Sequence, residues 1–146
     1  MHRSLICCVV MSVAALSVSQ EAKDKKLIEP VYRSLEQVFA AKMKGADFAK
    51  KYVSKGFSFN TKHLGNKSGW RECLQDLTQP ATSINFKIKK ISKLTANVYS
   101  CQTLEHLVYP EKSGDKWVDK SLDTLWVDVF EVSSNKIAWK SREIKS

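Results

Sequence analysis

The sequence is poor in the residues that most catalytic and metal-binding motifs require. It has 3 histidines, 4 cysteines, 5 glycines and 3 prolines among 146 residues. It contains no glycine-rich phosphate loop, no Gly-x-Ser-x-Gly elbow and no His/Cys cluster at metal-ligand spacing. These absences argue against nucleotide hydrolysis, serine-hydrolase chemistry and metal catalysis, and nothing in the sequence calls for a cofactor.

Long apolar runs are also absent, except at the start of the chain. The apolar stretch Leu5–Val18 follows a basic start, Met1-His2-Arg3, and precedes the charged segment Glu21–Lys26. This layout is typical of a secretory signal. The alternative is a membrane anchor, but the stretch is shorter than the roughly 20 residues that span a bilayer. We therefore predict a signal peptide, residues 1–19, and a secreted domain, residues 20–146.

Export changes the expected chemistry of the cysteines. Cys7 and Cys8 fall within the predicted leader, so Cys73 and Cys101 alone remain in the mature chain. In an oxidising compartment such a pair forms one disulfide, and two buried free thiols are the alternative. The sequence Asn66-Lys67-Ser68 is an acceptor for N-glycosylation in a predicted exposed turn.

The first half of the mature chain has the apolar spacing of helices. Tyr32, Leu35, Phe39 and Met43 recur at three- and four-residue steps, which predicts an amphipathic helix with Pro30 in its first turn. We predict a second helix that Asp47 caps and Gly56 ends, a short strand over residues 57–60, and a third helix from Ser68 to Pro80.

The second half alternates apolar and polar residues, as β-strands do. Four antiparallel strands are predicted, over residues 84–89, 97–109, 122–132 and 137–144, with a hairpin loop around Gly114 and a tight turn over residues 133–136. The order of elements is therefore helix, helix, short strand, helix and four strands. It indicates a single α+β domain.

This order, together with four segments of the chain, resembles the nuclear transport factor 2-like superfamily, including its SnoaL-like members. The segments are Gly56–Phe59, Gly69-Trp70, Asp123–Phe130 and Lys136–Lys140. The resemblance implies helices packed in the concave face of a curved antiparallel sheet, which forms a cone with a largely apolar pocket. It also implies that homodimers form through the sheet.

The cystatin scaffold is the competing interpretation of the same pattern, because it also sets a helix against an antiparallel sheet. Cystatins carry a Gln-x-Val-x-Gly loop that binds proteases. The comparable stretch here, Gln102–His106, lacks both the valine and the glycine. Inhibition of cysteine proteases is therefore not predicted.

Two titratable residues are candidates for acid/base chemistry. Strand alternation places Asp128 on one face with Trp126 and Phe130, where burial would raise the pKa of its carboxyl. His106 lies in the adjacent strand and would complete a proton-transfer pair if the register allowed it. The alternative is an exposed aspartate and a structural histidine.

Two further groups of residues suggest binding. One is a set of aromatics predicted to line a pocket for a small apolar ligand, although each could equally be plain core: Phe57, Phe59, Trp70, Tyr99, Trp126 and Phe130. The other is the positive charge, formally +9, with Lys87, Lys89, Lys90 and Lys93 crowded on one predicted strand.

The sequence favours a secreted binding domain over an enzyme. Its predicted partner is a small apolar molecule or a protein. One alternative is a cofactor-free lyase or isomerase that uses Asp128 and His106, and another is a surface that binds extracellular polyanions. Export excludes intracellular nucleic acid as the partner of the basic surface.

Overall fold

The computed structural model describes residues 4–61, 65–68, 81–134 and 136–145. Within these residues the helices are α1, Ser4–Phe39, and α2, Gly45–Tyr52. The strands are β1, Val53–Thr61; β2, Gly65–Ser68; β3, Ser83–Lys93; β4, Val98–Ser113; β5, Lys116–Ser133; and β6, Lys136–Ile144. The predicted α+β class is confirmed. The predicted third helix lies outside the described residues, apart from Ser68.

Helix α1 is longer at its N-terminus than the sequence predicted. Pro30 lies inside it rather than in its first turn, at a solvent-exposed position. The helix ends at Phe39, four residues before Met43, and Ala41 then adopts a left-handed φ of 55°. One face of its second half is buried in the core by Ile28, Val31, Tyr32 and Leu35. The predicted amphipathic pattern therefore selects the correct face.

Helix α2 is short, and its two buried side chains are the predicted ones, Phe48 and Tyr52. Asp47 lies in its first turn and is not its cap, a position that Lys44 occupies. The helix stops at Tyr52 rather than at Gly56, because β1 begins at the next residue. The two aromatic rings lie 5.3 Å apart and fix α2 against the core.

The described strands form one sheet with the order β2-β1-β6-β5-β4-β3. The neighbours among β3 to β6 are antiparallel, as predicted. Strand β1 pairs in parallel with β6, which the sequence did not predict, and it is longer than the expected strand over residues 57–60. This parallel pairing brings Phe57 and Phe59 into the sheet beside the C-terminal strand.

Strand β2 also differs from the expectation for its segment. Ser68 pairs with Ser58 and Asn66 with Asn60, so Ser68 closes a strand and Asn66 lies in a strand rather than in a turn. The pairing leaves β2 at an edge of the sheet. The glycosylation of Asn66 stays a prediction.

The concave face of the sheet is the one that packs on the helices. Along β4 the buried residues are Tyr99, Cys101, Thr103 and Glu105, and along β5 they are Trp126, Asp128 and Phe130. Register shifts interrupt β3 between Ile88 and Lys90 and the β5–β6 pair at Val129 and Phe130. Such irregularities increase the local bend and twist of a sheet and curve it around α1.

Strands β4 and β5 are long enough to leave the rest of the sheet. Residues 109–113 pair with residues 116–120, beyond the last backbone pairing of β4 with β3 at Val108. Gly114, at φ 62°, makes the turn that joins the two strands. We call this two-stranded extension, residues 109–120, the ribbon. No helix among the described residues is long and apolar enough to cross a membrane.

Candidate functional site

An irregularity in β6 brings two large side chains to the concave face together. Phe130 pairs with Trp139, but the preceding residue of β5, Val129, pairs with Ser141. One residue of β6, Lys140, is therefore extra, and the alternation of faces shifts by one position. As a result both Trp139 and Arg142 are fully buried.

Asp128 is the centre of the buried polar cluster that this arrangement creates. Its Oδ1 accepts hydrogen bonds from Arg142 Nε at 3.0 Å and Trp139 Nε1 at 3.1 Å. Its Oδ2 accepts one from the Tyr32 hydroxyl at 2.6 Å. Both carboxylate oxygens are therefore occupied by protein donors, which is how a buried charge is made tolerable.

Arg142 joins Asp128 to a second acid, Glu105. Its Nη1 lies 3.2 Å from Glu105 Oε2, and the guanidinium carbon lies 4.5 Å from the centre of the Trp126 ring and 5.2 Å from that of Phe86. Arg142 Nη2 has no hydrogen-bond acceptor among the described residues. Contact with the aromatic faces offsets part of the cost of burying this cation.

Burial dominates the electrostatics of the cluster. It raises the pKa of the Asp128 and Glu105 carboxyls, while the charge of Arg142 acts in the opposite direction on both. Burial opposes the charge on Arg142, but Asp128 and Glu105 together keep its pKa above the ordinary value. Two acids thus share one guanidinium in the protein interior.

Tyr32 connects this cluster to α1. Its hydroxyl accepts a hydrogen bond from Thr103 Oγ1 at 2.6 Å while it donates to Asp128. Burial and the neighbouring Asp128 charge raise the pKa of Tyr32 well above its usual value, so this hydroxyl keeps its proton. Cys101 Sγ lies 3.5 Å from Thr103 Oγ1 at the edge of the same network.

Cys101 is a fully buried free thiol in this structure. Burial raises its pKa, which keeps it protonated and unreactive. Its predicted disulfide partner, Cys73, lies outside the described residues. The disulfide is therefore not shown, and the pairing stays a prediction.

The structure does not bring His106 and Asp128 together. His106 pairs with Asp123 across β4 and β5, on the opposite face of the sheet from Cys101, which pairs with Asp128. Its ring is about half exposed, and Nδ1 lies 2.6 Å from Asp123 Oδ1. The predicted proton-transfer pair does not form, because the two positions are an odd number of register steps apart.

The aromatic residues predicted to line a pocket fill the core instead. Phe57, Phe59, Tyr99, Trp126 and Phe130 are all buried. Phe59 stacks on Trp126 at 5.6 Å, and Phe130 on Trp139 at 6.1 Å. Trp70 lies outside the described residues. The guanidinium of Arg142 also lies over the Trp126 and Trp139 rings, at 4.5 and 5.3 Å from their centres.

The larger described cavity lies away from these rings, where α1 ends and β3 begins. It has a volume of about 410 Å³. We call it the rim cavity, and it is lined by Arg33, Glu36, Gln37, Phe39, Ala40, Lys42, Ala81, Thr82, Ser83 and Ile84. Sequence periodicity could not indicate it, because its wall combines a helix end with a strand that is distant in sequence.

An apolar row continues from the rim cavity across the concave face. Ile84 pairs with Leu107, and Leu107 pairs with Leu122, so three neighbouring strands contribute one aliphatic residue each. We call these three residues the aliphatic row. Leu122 is 51% exposed. The row therefore leads from the cavity to an uncovered apolar side chain beside the ribbon.

A smaller cavity, of about 150 Å³, lies further along the same helix face. Tyr32 and Phe86 form part of its wall, together with charged residues of α1 and β3. Within the described part of the chain, no three His, Cys, Asp or Glu residues are arranged to hold a metal ion. Neither described cavity is lined by Asp128.

Solved structures share this architecture, whereas the sequence matches no protein-family model and no curated protein. An NTF-2 like protein of unknown function from Shewanella oneidensis MR-1 superposes with a TM-score of 0.59 at 12% identity, over 82% of this chain and 96% of that one. The chain has the nuclear transport factor 2-like fold. The resemblance recognised in the sequence is therefore confirmed at the level of fold.

Two further solved structures share the nuclear transport factor 2-like fold of this chain. A domain of unknown function with a cystatin-like fold from Nostoc punctiforme gives a TM-score of 0.63 at 12% identity, over 84% of this chain and 76% of that one. A protein assigned as a scytalone dehydratase from Novosphingobium aromaticivorans gives 0.64 at 10% identity, over 85% and 84%. Identities this low establish the fold and no shared reaction.

The lysines of β3 lie on the edge strand of this nuclear transport factor 2-like sheet. Lys87, Lys89, Lys90 and Lys93 are all exposed. The register shift in β3 puts Lys87 opposite Leu104 and Lys90 opposite Gln102, both on the outer face. Lys145 Nζ lies 3.0 Å from Gln102 Oε1 and adds a third cation there. Lysines on an edge strand also discourage pairing with other chains.

Proposed function

We propose that this chain is a secreted, non-enzymatic binding domain that holds a small, largely apolar molecule in the rim cavity. One observation carries the proposal: Ile84 lines the cavity and is also the first residue of the aliphatic row, which ends at the exposed Leu122. Its volume of about 410 Å³ lies within the range of roughly 300–1,000 Å³ typical of small-molecule sites. An apolar row that leads out of a cavity provides contact area for a ligand longer than the cavity itself.

The arrangement of the titratable groups supports binding rather than catalysis. Asp128 has both oxygens engaged by donors from the protein and is fully buried. His106 lies on the other face of the sheet, paired with Asp123. An acid/base reaction needs its groups within reach of one substrate. These two groups do not share a site.

Native mass spectrometry of the protein recovered from the culture medium, purified without denaturant, tests the proposal. We expect a reproducible small-molecule adduct that is lost on denaturation. Leu122→Asp should weaken or abolish the adduct because it places a charge at the exposed end of the aliphatic row. Leu94→Asp is the matched control, since Leu94 is 58% exposed but lies in the turn between β3 and β4.

Three results would contradict the proposal. One is a chain without any adduct, and another is an adduct that Leu122→Asp and Leu94→Asp affect equally. The third concerns secretion and comes from intact-mass spectra of the culture medium and of the cells. A secreted chain should begin near Gln20, so a protein retained in the cell with an intact Met1-to-Ser19 segment would contradict export.

Polyanion binding is a second candidate function, supported by the three cations around Gln102 on the outer face. Lys87, Lys90 and Lys145 lie there with exposed side chains, and a sulfated glycan would contact all three. The test is retention on a heparin column. Replacing Lys87 and Lys90 by Gln should lower the salt needed for elution more than replacing Lys50 and Lys51, which lie on α2. Equal shifts would indicate an effect of net charge alone.

A further inference from the structure

The rim cavity contains three charged residues, and two of them already neutralise each other. Arg33 Nη1 lies 2.9 Å from Glu36 Oε1, and Arg33 Nη2 lies 3.2 Å from Glu29 Oε1. Glu36 Oε1 also accepts the backbone N–H of Phe86 at 3.0 Å. The charge of Arg33 is thus balanced by the two glutamates, and both oxygens of Glu36 accept hydrogen bonds from the protein.

Lys42 is the third charged residue, and its ammonium has no ion-pair partner among the described residues. Its backbone is nevertheless held in place. The N–H of Lys42 donates to Gln37 O at 2.8 Å, just after Ala41 turns the chain with its left-handed φ of 55°. Lys42 therefore adds to the cavity lining one positive charge that no acid among the described residues balances, on a backbone that is held in place.

The apolar part of the site lies away from that charge. Phe39 and Ile84 contribute to the cavity wall, and both also pack against the buried core. From Ile84 the aliphatic row runs across two more strands to Leu122. A ligand that used the whole site would need a negatively charged head and an apolar body.

We propose that the ligand of the rim cavity is an amphiphile with a single carboxylate. Its head group lies at Lys42, and its aliphatic chain lies along Ile84, Leu107 and Leu122. This inference rests on the proposed binding function and names the ligand class of that site. A lone lysine suits a monoanionic head, because a dianionic phosphate is usually held by several cations or by a forked arginine.

The experiment compares dodecanoate with dodecanol, which has the same chain and no charge. Both are titrated calorimetrically into the delipidated protein recovered from the culture medium, below the concentration at which micelles form. We expect dodecanoate to bind about tenfold more tightly than dodecanol, which is the effect of one charge-assisted hydrogen bond. Lys42→Gln should remove this preference by lowering the affinity for dodecanoate about tenfold.

Lys44→Gln is the matched control, because it removes the same charge two residues away, outside the cavity lining. It should leave the preference for dodecanoate intact. If wild-type protein binds the two ligands equally, or if Lys42→Gln and Lys44→Gln reduce the preference equally, the assignment of the head group is overturned. The binding function then stands on the native adduct and its loss in Leu122→Asp.

Different results would contradict the binding function itself, rather than the assignment of the head group. In that case neither dodecanoate nor dodecanol would bind, no native adduct would be found, and Leu122→Asp would behave like Leu94→Asp. An adduct that depends on Leu122, seen together with no binding of either probe, would overturn the carboxylate amphiphile and retain the cavity. The experiments therefore distinguish failure of the binding function from failure of the carboxylate assignment.

Discussion

The Tyr32 hydroxyl donates to Oδ2 of Asp128 at 2.6 Å and so ties the middle of α1 to the centre of β5. Tyr32→Phe removes this bond and the one from Thr103 without creating a cavity. We expect the free energy of unfolding to fall by about 1–3 kcal/mol, because a buried carboxylate and a buried hydroxyl lose a partner. Urea unfolding measures the change. Tyr109→Phe, at a half-buried position on β4, should cost far less; equal losses would contradict the role of the Tyr32 hydroxyl.

Arg142 is the sole cation in contact with Asp128 and Glu105 among the described residues. Arg142→Met should lower the free energy of unfolding by about 3–5 kcal/mol, since it leaves two buried acids without a counter-charge. The comparison is Lys140→Met, which breaks an exposed pair with Glu131 at 3.1 Å and should cost about 0–1 kcal/mol. Adding Asp128→Asn and Glu105→Gln to Arg142→Met should recover part of the loss. No recovery would show that the loss reflects packing rather than charge.

Stability should depend on pH through the buried acids. Burial raises the pKa of Glu105, against the opposing charge of Arg142, so the folded chain keeps this proton at a pH where the unfolded chain has released it. The free energy of unfolding should therefore fall as the pH rises from the ordinary carboxyl pKa to the raised one. Asp128 contributes in the same direction.

Glu105→Gln should flatten that slope, as measured by urea unfolding at a series of pH values. Glu111→Gln serves as the control, because Glu111 is an exposed acid on the same strand. A slope that stays the same in Glu105→Gln would show that Glu105 is ionised equally in the folded and unfolded chains.

Substitution of Gly114, in the turn of the ribbon, should destabilise the protein more than substitution of Gly56. Its φ of 62° is unfavourable for any residue with a Cβ, so Gly114→Ala should cost about 1–2 kcal/mol. Gly56→Ala is the control, because a Cβ there would meet nothing within 4 Å and the backbone is not left-handed. The amides of the ribbon should exchange hydrogen faster in Gly114→Ala than in the wild-type protein. In Gly56→Ala their exchange rates should be unchanged. Equal losses of stability in the two variants would show that the left-handed φ of Gly114 is not the cause.

The faces of β5 were predictable from the sequence, whereas those of β6 were not. Simple alternation correctly grouped Trp126, Asp128 and Phe130, because β5 runs regularly through that stretch. In β6, alternation from Trp139 would place Arg142 on the outer face. The extra residue, Lys140, reverses that assignment, and no local signal marks it. The main partner of Asp128 was therefore missed.

The sequence also did not predict how distant parts of the chain pair with one another. The register of β4 on β5 decides that His106 meets Asp123 rather than Asp128, and a hydrophobic pattern does not fix register for half-polar strands. The same holds for the parallel pairing of β1 with β6 and for the rim cavity, whose walls come from α1 and β3. Local periodicity identified the elements and the fold class, and tertiary pairing determined the site.

The length of the ribbon can change without any change in the core of the protein. Its residues pair in the backbone with one another and not with β3 or β6, so its length can vary by whole pairs of residues while the cluster around Asp128 keeps its geometry. On the face that Leu122 shares, the ribbon continues with Lys120, whose Nζ lies 3.4 Å from Glu111 Oε2 in an exposed ion pair. A change in the length of the ribbon would therefore alter the charge beyond Leu122 and leave the core unchanged.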